Sequence, residues 1–422
     1  MGLLTLPPEL LLQILRCGPV GNKKEEKRFL GTCRLTCKVL SAITATIMFY
    51  SINLGSATDW DDQTGPWERA RVFRNLLEVD PHLATHVKSL CIVTTNSDQC
   101  PQPFLMSSDL AIIIRKLQHI NHFVLLVSSI KPKLLWSELT ESLVEALEVM
   151  CNLPSIVSLQ FNGIVDLPLF RLVQGSSNLE ELNLNHVTLD LQGHRVSTAR
   201  LKSLRLLNAH PPTSQDTELL SIAPLLKNLE QLHAHFYSPE SVEQAQMIMK
   251  QAQKTLKELT VQMWYIMDEE YLNDMVSGFF KYSLPALESV AIDGYSSALF
   301  SSDISSRIVP RFLSQVVKSN VAVKHVSVCE VPPYNTVLQS NAVWLEIDRV
   351  LCQKYHTLEE LTVRWSDDTF ERDDPEQTHN AIKAVRSVLK GVLGILKVPI
   401  RLRIMAKGEY LESAEGDIVI MD

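Results

Sequence analysis

Apolar and polar residues alternate in short bursts that recur along most of this chain. The recurring unit is L-x-x-L-x-L, with Ile, Val or Phe accepted for Leu. It begins at Val87/Leu90/Ile92 and returns at Ile120/Phe123/Leu125, Ile156/Leu159/Phe161, Leu179/Leu182/Leu184 and Leu201/Leu204/Leu206. Leu229/Leu232/Ala234, Leu256/Leu259/Val261, Leu287/Val290/Ile292, Val323/Val326/Val328 and Leu358/Leu361/Val363 bring the total to ten copies, 22 to 36 residues apart. Ile400/Leu402/Ile404 adds a closing strand. The period-2 end of each copy predicts a short strand with one buried face, and the first Leu packs under the turn leading into it. Between copies the apolar spacing turns helical, predicting helices over Glu141–Met150, Ser241–Ala252, Glu270–Lys281 and His379–Leu393. One strand and one helix cannot bury both of their apolar faces alone. Stacked units can, which predicts a curved solenoid with strands on the concave side. Spacings above about 29 residues exceed the usual leucine-rich range and imply longer helices or inserted loops on the convex side.

Ahead of the repeats the pattern is helical. Residues 8–16 predict a helix, with Pro7 or Pro8 suited to its first turn and Glu9 to its positive end. Glu9, Gln13 and Arg16 form one narrow polar stripe; Leu10, Leu11, Leu12, Ile14 and Leu15 cover the remainder. A surface helix buries only one stripe, so this one needs two burial partners. Helical character returns near Glu25 and runs towards Phe49. Phe29, Leu30, Cys33 and Cys37 share one face, and Leu35, Val39, Ile43 and Ile47 another. Residues 55–66 are turn-rich. A helix follows at about 67–79 with Val72, Leu76 and Val79 on one side, stopped by Asp80-Pro81. The expected organisation is a helical module over 1–54, a linker with a helix over 55–84, repeats over 85–407 and an acidic tail over 408–422.

The stretch LPPELLLQIL, with CRLTCKVLSAITATIMFYSINL after it, resembles the F-box family. The matching residues are Leu6, Pro7, Glu9, Leu10, Ile14 and Leu15, then Leu35, Cys37, Lys38, Leu40 and Ile43, then Phe49, Ile52 and Leu54. EVDPHLATHVKSLCIV is similar to the joint between F-box and repeats in filamentous-fungal members. The resemblance implies an α/β chain: a helical F-box followed by an irregular leucine-rich-repeat solenoid, with a strand and a helix per repeat. It implies a non-catalytic receptor subunit of a Skp–cullin–F-box ubiquitin ligase. The F-box would dock on the Skp-type adaptor, and through it on a cullin–RING ligase, while the repeats hold a substrate protein. The residues it assigns to adaptor binding are Leu6, Pro7, Leu10, Ile14, Leu15, Leu35, Cys37 and Leu40. The chain departs from the family in the long charged linker 17–28, which lacks the usual Leu, so the loop's adaptor contacts do not carry over. A helical module of about 50 residues also has little core of its own. Its over-apolar first helix therefore seeks an external partner or the repeat domain. The alternative is a leucine-rich-repeat interaction scaffold acting outside a ubiquitin ligase.

Charge and chemistry narrow the function classes. The net charge is −8, but residues 366–376 alone carry six acids against one base, and 1–54 carry a net +4. No basic stripe with interleaved aromatics is present, so nucleic acid is not an expected partner. No apolar run approaches the ~20 residues of a membrane helix. The N-terminal run is broken by Pro7-Pro8-Glu9 and lacks the basic start of a secretory signal. Together with eight scattered cysteines free of CxxC spacing, this points to a reducing compartment, cytoplasm or nucleus. GxSxG, HExxH, GxxxxGKS and GxGxxG are all missing, so no cofactor or metal is expected. His119 and His122 precede a strand and read as ordinary surface or core histidines. Alternation places Glu181, Asn183, Asn185, Arg205, Gln231, Gln262, Asp293 and His325 on the face opposite the leucines. His233, His235, Trp264, Tyr295 and Arg364 share it and are the expected substrate-binding residues, Trp, Tyr and Arg being enriched at binding hot spots. No arginine cluster that would read a phosphate is visible in the sequence.

Overall fold

Parallel strands, paired in chain order within each of two units, dominate a mixed α/β structure. The computed structural model describes residues 8–16, 23–55, 66–95, 102–128, 134–190, 199–207, 223–236, 238–264, 279–295, 309–316, 322–330, 341–366, 400–405 and 417–420. The expected helix His379–Leu393, most of Glu270–Lys281, residues Leu6 and Pro7, and the acidic run 367–376 lie outside them. Two compact units are present: Met1–Arg200 with His210–Gln215, and Leu201–Ala209 with Asp216–Asp422.

The first unit opens with three helices, α1 (Pro8–Arg16), α2 (Lys23–Thr36) and α3 (Lys38–Met48). The sequence pattern anticipates one helical run from Glu25; the chain instead breaks at Cys37, which is extended at φ −160° and ψ 164°. The Thr36 hydroxyl donates to the Cys33 carbonyl at 2.7 Å as α2 ends, and the Cys37 carbonyl accepts the Ser41 N–H at 2.9 Å as α3 begins. The break has a packing consequence. In one straight helix Leu30 and Leu40 would sit about 15 Å apart. Folded at Cys37, both join Leu15 in one buried cluster, flanked by Phe29, Cys33, Ile43, Ile47 and Met48. Arg34 caps the far side, its guanidinium 5.6 Å from the centre of the Phe49 ring.

The strands of this unit are β1 (Ser51–Asn53), β2 (Ser89–Thr95), β3 (His122–Ser128), β4 (Ser158–Asn162) and β5 (Glu181–Asn185). They pair in parallel in that order. Register aligns the template residues: Leu90 with Phe123, Leu159 and Leu182, and Ile92 with Leu125, Phe161 and Leu184. All of these are buried. The sheet starts earlier than residue 85, because Ile52 pairs with Leu90. Phe49/Ile52/Leu54 is thus a further copy of the template.

Helix α4 (Pro66–Val79) buries Ala70, Phe73 and Leu77. The apolar side read from the sequence, Val72, Leu76 and Val79, is exposed. The buried face is chosen by the helix Ser108–Lys116, on which α4 packs through the Arg74–Asp109 ion pair, while Trp67 meets Phe104 edge-on at 6.2 Å. Short α5 (Leu83–His86) and α6 (Gln102–Leu105) precede α7 (Ser108–Lys116), whose Ser107 cap accepts the Asp109 N–H. α8 (Glu141–Cys151) is capped by Thr140, and α9 (Leu169–Val173) follows. Gly163 turns the chain after β4 at φ 73°, where a Cβ would strike the Val127 carbonyl oxygen.

The second unit repeats the plan with β6 (Ser203–Leu207), β7 (Gln231–Phe236), β8 (Glu258–Trp264), β9 (Ser289–Tyr295), β10 (His325–Glu330), β11 (Glu360–Ser366) and β12 (Ile400–Met405), all parallel. β13 (Asp417–Ile420) closes the sheet antiparallel to β12. Its helices include α10 (Ala223–Leu226), α11 (Pro239–Gln251), begun by a Ser238–Ser241 capping box, and α12 (Asn341–Lys354). Phe279 packs against Phe236 at 4.8 Å and Phe312 at 5.5 Å, and the Tyr355 hydroxyl donates to the Leu313 carbonyl at 2.9 Å.

A hydrogen-bond device recurs within both units. One carbonyl just before each strand accepts two consecutive N–H groups from the same point of the next repeat. Lys88 takes those of Asn121 and His122, Asn121 those of Val157 and Ser158, and Val157 those of Glu180 and Glu181. In the second unit Lys202, Glu230, Lys257, Glu288 and Lys324 do the same for their successors. Each accepting residue directly follows the first Leu of the template. Burying that Leu therefore locks the turn whose carbonyl sets the register of the next strand. These shared carbonyls satisfy backbone donors that strand pairing alone would leave open.

Candidate protein-docking surfaces

The helical module leaves apolar surface uncovered. Leu10 and Ile14, one turn apart on α1, are each 45% exposed, and Leu35 at the end of α2 is 88% exposed. Val39, on the other side of the break at Cys37, is 48% exposed. Of the residues the resemblance assigns to adaptor docking, then, Leu10, Ile14 and Leu35 are available to a partner. Leu15 and Leu40 are not: they are the module's core, packed together with Leu30. Cys37 is half-buried against the same cluster. The reason is geometric. Leu11 and Leu15 share the inward side of α1, leaving Leu10 and Ile14 to face outward. Val39 was on none of the assigned positions; its pairing with Leu35 at i, i+4 was the available signal, masked by the non-helical residue between them.

On the strands, the face opposite the leucines is arranged by register into lateral rows. Arg205 pairs with His233 and then Thr260; His235 pairs with Gln262, and Gln262 with Asp293. His233 is half-buried. His235, expected on an open face, is 4% exposed. Alternation put it on the correct side of the strand but could not report that this end of the row is covered. Trp264 and Tyr295 are direct register partners on β8 and β9, as their consecutive template copies imply. Arg364 on β11 stands in register between Cys329 and Arg403.

Burial, with Glu148 adding to it, pushes the Cys151 thiol far up from its ordinary value of 9.0. Burial does the same to the Tyr355 phenol, and burial plus Asp348 raises Cys352. Such groups are held protonated and unreactive. No group of three His, Cys, Asp or Glu side chains placed to hold a metal occurs among the described residues. No helix among them is long and apolar enough to cross a membrane.

No protein-family model matches the chain, and no curated protein does. Among solved structures, a crystal structure of a Bacteroides fragilis protein aligns over 94% of this chain and 74% of its own, at 10% identity and a TM-score of 0.25. A similarity at that level carries no functional inference.

Proposed function

We propose that the chain is the substrate-recognition subunit of a Skp–cullin–F-box ubiquitin ligase. The observation that carries this reading is a three-helix module with its own small core that still exposes Leu10, Ile14 and Leu35, positions where the F-box resemblance expects an adaptor. Large apolar side chains left exposed on a small module invite a partner. In this reading the parallel strands and their helices stack as an irregular leucine-rich-repeat solenoid, and the face opposite the leucines receives the substrate protein. Strand alternation assigns Trp264, Tyr295, His233 and Arg364 to that face, and register supports the assignment by aligning Trp264 with Tyr295. The role is one of binding and presentation, in the cytoplasm or nucleus, and needs neither cofactor nor metal.

Co-purification tests it directly. The full chain is expected to retain a Skp-type adaptor and a cullin, and Leu10→Asp with Ile14→Asp to release both. Retention of the adaptor by that double variant would sink the docking assignment. Retention of an adaptor without any cullin would favour a scaffold outside a ligase.

A further inference from the structure

The strand face of the first unit differs in chemistry from the rest of the molecule. Its first row holds Ser89, His122, Ser158 and Glu181; beyond that row it carries Cys91, Val93, Val124 and Leu126 on β2 and β3, and Gln160, Asn162, Asn183 and Asn185 on β4 and β5. None of the eight beyond the first row is charged, and all are half-buried. Register pairs Val93 with Leu126, Gln160 with Asn183 and Asn162 with Asn185. Four primary amides therefore stand in a two-by-two grid beside an aliphatic strip. The Oδ1 atoms of Asn162 and Asn183 are closed to solvent and accept no hydrogen bond. An acceptor in that state is a standing cost to folding, relieved when the amide pivots onto an incoming N–H donor.

We infer that this face binds an extended, uncharged polypeptide segment, with the amides reading its main chain and the aliphatic strip its side chains. The spacing supports a peptide. Amides two residues apart on one strand are separated by about 6.6 Å, the repeat after which an extended chain again presents the same group. Neighbouring strands offer a second amide about 4.8 Å to the side, so donor and acceptor of one peptide unit can be met together. Charge complementarity supports an uncharged one, because burying a charged side chain against Val124 and Leu126 would leave it without a counter-charge. Aliphatic rather than aromatic walls suit Leu or Val side chains better than sugar rings. The inference rests on the receptor reading only for calling the segment part of a substrate; the binding itself does not.

The experiment is selection of a random peptide library displayed on phage against the immobilised full chain. Recovered peptides are then measured by fluorescence anisotropy against wild type, Asn162→Leu with Asn183→Leu, and Asn183→Asp. Recovered sequences are expected to be poor in Asp, Glu, Lys and Arg. Their affinities should change little with salt, and the double variant should weaken them at least about tenfold, which is about 1.4 kcal/mol. Asn183→Asp, isosteric and so the guard against misfolding, should weaken them in the same direction. Recovery of charged, salt-sensitive peptides, recovery of none, or equal binding by the variants overturns the inference, as does selective binding of neutral oligosaccharides in place of peptides. Adaptor co-purification is scored on the same variants: its loss in wild type strikes the receptor reading alone, and failed peptide binding with adaptor retained strikes this inference alone.

Discussion

Leu90, Phe123, Leu159 and Leu182 on the strand ladder are buried almost completely, whereas the three N-terminal helices bury Leu15, Leu30 and Leu40 and leave Leu10, Ile14 and Leu35 largely open. Both regions are rich in leucine. The difference is closure. A parallel strand has helices waiting on its leucine side and a next copy beside it, so every template position finds cover. Three short helices enclose the small cluster of Leu15, Leu30 and Leu40. The ladder covers its template leucines, and the module leaves Leu10, Ile14 and Leu35 exposed.

The comparison would break most visibly at Phe161, fully buried and edge-on to Phe123 at 6.0 Å. Phe161→Ala should cost the first unit about 3–5 kcal/mol, read as a drop in its urea midpoint. Leu40→Ala should cost about 2–5 kcal/mol, towards the low end because so small a cluster can relax. Its loss should appear as faster amide exchange in α1–α3 while the strands stay protected; equal loss in both would show that the two regions fold as one. A gentler probe is alkaline pH. Burial raises the folded pKa of Cys151 above the ordinary 9.0, so the unfolded chain gives up that proton first. Stability of the first unit should be level below that pH and fall as pH rises above it, and Cys151→Ala should flatten the decline. Thiol-reactive dyes sharpen the same contrast: half-buried Cys33 and Cys37 should label in the native protein long before buried Cys151. The smallest effect belongs to the open residues. Leu35→Asp should shift stability by no more than about 0.5 kcal/mol, measured by thermal melting. A large drop would place Leu35 in the core and remove it from the docking surface.

Much of the ladder was readable in advance. The ten template copies are strands with their leucines inward, because period-2 alternation admits only one burial face. Apolar spacing over Glu141–Met150 and Ser241–Ala252 anticipates the helices found at Glu141–Cys151 and Pro239–Gln251. The eleventh copy, Phe49/Ile52/Leu54, satisfies the same template, yet the F-box resemblance absorbs it as that module's closing aromatic and strand-like end. In α4, Val72, Leu76 and Val79 matched helical spacing as well as Ala70, Phe73 and Leu77 did. Spacing identifies faces, and only a neighbour decides which face is covered.

The same limit governs the candidate sites. Sequence alone determined that Trp264 and Tyr295 fall at equivalent places in consecutive repeats, that the module's helices carry more leucine than one core can use, and which side of each strand is apolar. Only the tertiary structure decided that Leu15 and Leu40 are core while Leu10, Ile14 and Leu35 are surface, that His235 is covered, and that Gln160, Asn162, Asn183 and Asn185 form a grid. Alternation and helical period are local properties written along one segment. Burial and lateral neighbours are set by contacts between segments far apart in the chain, here by a Cys37 break and a row of shared carbonyls that no single segment encodes.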